Sequence, residues 1–314
     1  MAARPGRRIG WLSLAALLLA GCAVGGPLPV LDGQASLPEP RLDAADGSAL
    51  ALSEWAPDRP RAVMLAVHGY GDYGPSTFAG AARFWAARGI QTYAYDQRGF
   101  GRNRSFGRWP GAEALVDDLT RAAGEIRARH PCLPLIVTGH SMGGGVALAA
   151  AGRGLDADGL VLAAPAIWGG GEMNPFHRLV AWGAAAVVPE HRFTGEGIVR
   201  IQASDNIEML RALARDPNYL RPPSAREIFG LVRLSDMAAE AAAIAGMPSL
   251  LLLGTKDEIV PNRRVRRVYD RMGGPRNVIE YPQGWHLLFR DLQAERVWRD
   301  VADWALAQAG PGCG

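Results

Sequence analysis

Apolar residues along this chain fall into two kinds of run, and the two alternate. Short runs rich in apolar residues at 49–55, 62–67, 91–95, 135–137, 159–163, 249–253 and 277–281 predict strands. Longer stretches with apolar positions at helical spacing, at 76–87, 112–129, 262–271 and 291–307, predict helices between them, with a further helix-prone run from Val146 to Ala151. Strands that are apolar throughout bury both faces. Their alternation with helices therefore predicts an α/β fold, a mostly parallel sheet with helices on both sides. One interval breaks the rhythm. Residues 165–240 offer no strand but contain Trp168, Phe176, Leu179, Val180, Trp182, Val187 and Val188. So long a connection inside a compact domain predicts a largely helical cap over the strand ends. Its apolar side chains are expected either to face the cleft or to pack the cap on the body, and Gly169 to Gly171 could serve as a hinge or as a plain loop.

The chain begins with a different pattern. Arg4, Arg7 and Arg8 precede an apolar stretch from Ile9 to Ala20, too short for a permanent span of ~20 residues, so 1–21 reads as an export signal. It ends Leu19-Ala20-Gly21-Cys22, which resembles the lipobox of bacterial lipoproteins. That resemblance implies an acylated Cys22 as the mature terminus and a membrane anchor in the bacterial envelope, facing the periplasm and most often on the outer membrane. Residues 22–40, rich in Pro and Gly, read as a tether, and 41–314 as one domain. Charge changes meaning once the signal is set aside. The whole chain has 34 basic and 31 acidic residues, and the signal holds three arginines and no acid, so 31 of each remain. A neutral domain gives no footprint for nucleic acid as a partner. Of the three cysteines, Cys132 and Cys313 are left for a disulfide, which an oxidising compartment permits; two unpaired thiols are the alternative.

The candidate chemistry centres on Gly139-His-Ser-Met-Gly143, which follows the apolar run 135–137 and leads into a helix. A strand, a glycine-flanked serine and a helix make the context of a nucleophile elbow, with Ser141 at the tip of a strained turn. The bare pentapeptide equally suits a glycine-rich turn with an incidental serine, so partners must decide. A serine hydroxyl needs a base, and the base needs a carboxylate to orient it. Of six histidines, only His286 follows both the elbow and a suitable acid, just after the last strand. His130, His140, His177 and His191 read as structural, and His68 as a buried residue fixing its turn. Asp257, four residues beyond an apolar strand, is the preferred acid. Glu258 is expected to face solvent or cap the next helix, while Asp236 and Asp291 lie in or beside helices. The backbone amides of Met142 and Tyr70 are the candidate oxyanion donors.

Together, His68-Gly-Tyr-Gly, Asp96-Gln-Arg-Gly-Phe-Gly, Gly139-His-Ser-Met-Gly-Gly, Gly254-Thr-Lys-Asp257 and Gly284-Trp-His286 resemble the α/β-hydrolase superfamily. Within it, the likeness is to monoacylglycerol lipases and lysophospholipases, grouped with serine aminopeptidases, and it spans 41–307. The resemblance implies Ser141 as nucleophile, Asp257 as acid, His286 as base, and Tyr70 with Met142 as oxyanion donors. It also implies an ester hydrolase working through an acyl-enzyme on monoacylglycerol or lysophospholipid-type lipids, with no metal and no cofactor. An acyltransferase using the same triad, a peptidase, or a non-catalytic lipid-anchored binding protein are the competing expectations. The sequence departs from the family in the loop after Asp96, which continues Gly101-Arg-Asn-Arg-Ser.

Overall fold

A computed structural model describes residues 40–193, 201–219 and 222–308. The expected signal, Cys22 and nearly all of the tether lie outside the described residues, as does Cys313; Cys132 is disulfide-bonded. Eight strands form one sheet in the order β1-β2-β4-β3-β5-β6-β7-β8. They are β1 (Arg41–Asp43), β2 (Ala49–Trp55), β3 (Ala62–Val67), β4 (Ile90–Tyr95), β5 (Leu135–His140), β6 (Gly159–Ala163), β7 (Ser249–Gly254) and β8 (Arg276–Tyr281). The β1-β2 and β2-β4 pairs are antiparallel and all others parallel. The expected α/β architecture is thus formed, with β1 as a short edge strand the apolar pattern does not announce.

Side chains of a strand alternate between faces, and here each face has its own core. Met64, Ala66, Ile136, Val161, Leu250 and Leu252 point to one side, where α1 (Gly74–Ala86) brings Phe78 and Trp85 and α8 (Ala294–Ala307) brings Val297 and Val301. Val63, Leu65, Val67, Val137, Leu160, Leu162, Leu251 and Leu253 point to the other. That side is covered by α2 (Ala112–Arg129), α3 (Met142–Ala151), α6 (Ala225–Ala241) and α7 (Asn262–Tyr269). Two covered faces explain why inner strands such as β3, β6 and β7 read as mainly apolar runs.

The interval expected as cap divides into two parts. Helices α4 (Pro175–Val187) and α5 (Ile207–Leu213) lie in the capping segment. Helix α6 instead belongs to the body, packing Leu234, Ala238, Ala239 and Ala242 into the core over α3. The reason lies in α3, all of whose residues are buried. The glycine at its C-cap lets a second helix come close: a Cβ on Gly152 would sit 2.5 Å from the Cβ of Ala241. The apolar side chains of α4 do not pack as the body does. Phe176, Leu179, Trp182 and Val187 are 59%, 61%, 56% and 79% exposed.

Register places the site. Val67 pairs with Tyr95 and Gly139, His140 with Ala163, and Gly254 with Tyr281, so these strands end on one edge of the sheet. The chain passes from β3 to β4 on one side and later returns to β5 on the other. The loops after β3 and β5 therefore diverge at a topological switch point, where open parallel sheets form their sites.

Candidate active site

Ser141 occupies the turn between β5 and α3 with φ 53° and ψ −116°. Among the described residues only Ala164 shares a positive φ without being glycine, and such a conformation costs roughly 1–3 kcal/mol and persists only where neighbours enforce it. The neighbours do so. Ser141 donates its amide to Ala163 (2.9 Å), and its carbonyl accepts from Gly144, Gly145 and Ala166. Gly143 meets β3 so closely that a Cβ there would stand 2.1 Å from the Val67 carbonyl oxygen.

The loop after β8 carries His286 over this turn. Its Nε2 lies 2.9 Å from Ser141 Oγ, and its Nδ1 lies 2.8 Å from Asp257 Oδ2. With Nδ1–H donating to the carboxylate, Nε2 is left to accept the serine hydroxyl. Asp257 Oδ1 accepts the amides of Ile259 (2.8 Å) and Val260 (2.9 Å). Burial pushes this carboxyl up, but the hydrogen bond and charge of His286 with those two amides hold it below the usual aspartate range. It is therefore an anion at neutral pH. Ser141, Asp257 and His286, drawn from three separate loops, are thus brought together.

Tyr70 and Met142 border the same serine. Met142 begins α3, where the first amides of a helix have no partner within it. Gly69, just before Tyr70, passes so near that a Cβ would be 3.2 Å from Ser141 Cβ. Among the described residues neither the Tyr70 nor the Met142 amide donates to a protein acceptor. The loop itself is fixed from within the fold. His68, fully buried, donates Nδ1–H to the Gly69 carbonyl (2.8 Å) and accepts the Gln97 amide at Nε2 (2.8 Å), while the Gln97 side chain donates to the His68 carbonyl (2.7 Å). The turn-fixing role read for His68 corresponds to these contacts. The atypical loop after Asp96 is closed differently: Arg102 pairs with Asp96, and Asn103 donates to the Asp96 and Gln97 carbonyls.

Other residues set aside at first prove to hold this arrangement. Asp291, buried, accepts the amide of Trp285 at 2.7 Å and the hydroxyl of Ser204 at 2.6 Å, fixing the chain just before His286. Its only sequence signal was its place five residues after His286. Arg290 pairs with Asp72, joining the His286 loop to the loop after β3. Glu258 is exposed, as expected, and also accepts the amide of Gln202 (2.8 Å), a tie to the cap. Asp236 pairs with Arg178 and accepts the Gly170 amide, tying the cap's start to α6.

His140 is closer to the chemistry than a structural histidine needs to be. Its Nε2 donates to the His286 carbonyl (2.9 Å), its ring lies 5.1 Å from that of His286, and its buried Nδ1 has no hydrogen-bond partner among the described residues. Burial, reinforced by His286, lowers its pKa from 6.5 to about 3. A histidine neutral in the fold but free to protonate when unfolded contributes stability that is complete above pH 6.5 and lost as pH falls towards 3. Urea unfolding at pH 7 and pH 5 is expected to show a loss of about 2 kcal/mol from this group, at ~1.4 kcal/mol per pH unit. The variant His140→Asn should lack that part of the difference. The same pH difference in both proteins would remove His140 from the account.

A mostly parallel sheet with its strand-to-helix serine defines the α/β-hydrolase class, and the protein is an enzyme of the serine hydrolase type. A family model described as serine aminopeptidase, S33, matches residues 58–293, and the chain belongs to that family. It is 31% identical over 271 residues to a monoacylglycerol lipase of Mycolicibacterium smegmatis, covering 83% of this chain and 94% of that protein. It is 24% identical over 250 residues to phospholipase YtpA of Bacillus subtilis, covering 78% and 95%. A soluble variant of monoglyceride lipase from Saccharomyces cerevisiae, solved with a substrate analogue, shares its fold with a TM-score of 0.72 at 21% identity, over 92% of this chain and all of that one.

Proposed function

We propose that this protein hydrolyses carboxylic esters of monoacylglycerol or lysophospholipid type through an acyl-enzyme on Ser141. The observation that carries the reading is the hydrogen-bonded chain from Ser141 Oγ through His286 to Asp257. In it, His286 Nε2 takes the hydroxyl proton as Oγ bonds to the ester carbonyl carbon. The tetrahedral oxyanion is received by the amides of Tyr70 and Met142. His286 returns the proton to the departing alcohol as the ester C–O bond breaks. Water then attacks the acyl-enzyme by the same route, releasing the acid and restoring Ser141.

The lipid class is supported by the monoacylglycerol lipase and phospholipase relatives. The outward apolar face of α4 adds to it, since exposed apolar patches of this kind meet membranes or amphiphiles. Wild type and Ser141→Ala are to be compared on a short chromogenic ester, a monoacylglycerol, a lysophospholipid and an amino-acyl amide. Ester turnover that the serine variant lacks supports the reading, and the ranking of the lipids assigns the head group. Turnover of the amide alone would replace it with a peptidase.

Cys22 carries the acyl anchor in this reading, holding the enzyme at the periplasmic side of the envelope. One chain binds a bilayer only marginally and several hold firmly, so Cys22→Ser is expected to move the protein from the membrane fraction to the soluble fraction. Unchanged partitioning would dismiss the anchor.

A further inference from the structure

The loop after β3 carries four polar side chains, and each is tied to a different part of the molecule. His68 reaches the β4 loop and Asp72 reaches Arg290 on the His286 loop, both within the body. The two tyrosines reach into the region above the sheet. Tyr70 donates its hydroxyl to Glu227 Oε2 at 2.7 Å, and Tyr73 donates its own to Asp216 Oδ2 at 2.7 Å, in the segment after α5.

Glu227 is a junction. Buried at the third position of α6, it accepts the Ser224 amide (2.7 Å) and the Arg192 guanidinium (3.3 Å) on the same oxygen that takes the Tyr70 hydroxyl. Arg192 also donates to the Pro222 carbonyl (2.6 Å), and the Ala225 amide donates to the His191 carbonyl (2.9 Å). The strand of chain that returns from α4 is therefore fastened to the start of α6 at the point where Tyr70 arrives. Tyr70 is held at its other edge by Phe100, ring centroids 5.4 Å apart. Between Gly69 and Asp72 the loop makes a single main-chain bond of its own, from the Asp72 amide to the Gly69 carbonyl at 3.3 Å. Gly71, at φ 76°, adds no side chain to steady it. The Gly69–Tyr70 peptide is thus held from two sides, at the Gly69 carbonyl by His68 Nδ1 (2.8 Å) within the body and through the Tyr70 side chain by Glu227 at the start of α6.

We propose that Glu227 is a positioning residue that, through the Tyr70 hydroxyl, acts with His68 to hold the oxyanion-loop amide in register and so couples the hole to the cap junction. The inference rests on the proposed ester hydrolysis and on Tyr70 as an oxyanion donor. It assigns a role to a carboxylate that touches neither substrate nor reacting atoms. A donor shifted from its place gives up part of what an oxyanion amide contributes, which is about a hundred- to a thousandfold when it is lost outright. Ground-state binding is untouched, so the effect falls on kcat.

The test uses the full-length protein with Tyr70→Phe, which deletes one hydroxyl, with Glu227→Gln, and with both together. A short soluble ester reports kcat and KM, and hydrogen exchange reports the peptide covering residues 67–75. Tyr70→Phe is expected to lose about tenfold in kcat with KM within about twofold, Glu227→Gln, which keeps an acceptor for the hydroxyl but gives up its charge, to lose less, and the pair to lose no more than Tyr70→Phe alone. Exchange in the 67–75 peptide should quicken in both. If kcat and exchange stay at wild-type values while the melting temperature falls, Glu227 only fastens the cap and the proposal is overturned. Should Glu227→Gln fail to fold, Tyr70→Phe decides alone by the same two readings. Should wild type hydrolyse no ester, the functional reading fails, and the exchange comparison still upholds or overturns the coupling.

Discussion

Ser141→Ala is expected to abolish ester turnover, by roughly a millionfold in kcat if this triad behaves as serine triads do when the nucleophile is removed. The size follows from the geometry. With Oγ gone, His286 has no hydroxyl to deprotonate and no covalent intermediate forms, leaving only the oxyanion amides and binding to assist water. The fold should be unaffected. The residue is only partly buried and its hydroxyl makes one contact, to His286 at 2.9 Å, whereas the strained turn is held by backbone bonds that alanine keeps. A melting temperature near wild type together with lost turnover is the required combination. Residual turnover above a hundredth of wild type, with contamination excluded by active-site titration, would place the nucleophile elsewhere.

Gly143→Ala should be the most damaging of small changes to stability. A methyl there would stand 2.1 Å from the Val67 carbonyl oxygen and 2.6 Å from that of His68. Neither is the end of a flexible side chain. To make room, α3 would have to leave β3, disturbing both the elbow and the loop after β3. A loss of about 4 kcal/mol or more is expected, beyond the usual cost of overpacking and a large share of a typical total of about 5–15 kcal/mol. Urea unfolding measures it, with Gly124→Ala as the control. Gly124 is exposed in α2 and a Cβ there meets nothing within 4 Å, so that change should stabilise by about 0.5–1 kcal/mol. Equal stability of the two variants would contradict the close approach.

The fold was largely legible because its inner strands, β3 to β7, are buried on both faces and so read as mainly apolar runs, and β2, β3 and β6 fall where the pattern placed them. Boundaries slipped where pairing or packing overrode local preference. Strand β5 runs on to His140 because its last residues pair with β6, and α3 starts at Met142 through three glycines that a helix would not choose in isolation. Helix α6 was read as cap because an apolar helix looks the same whether it covers a cleft or a neighbouring helix. The small residue that admits it, Gly152, lies at the C-cap of α3, far along the chain from the Ala241 it faces.

By itself, the sequence determined the class of fold, the turn that presents Ser141, and the order in which a serine, an acid and a histidine follow one another. These are local or one-dimensional properties: runs, breaks and spacing. The tertiary structure alone decided which carboxylates support which loops. Asp291 behind His286, His140 on its carbonyl, Arg290 on Asp72 and Glu227 on Tyr70 are contacts between residues whose nearness depends on strand order and register. A buried hydrogen bond is short-ranged and directional, so it leaves no period in the chain, and only the folded arrangement brings its two ends into reach.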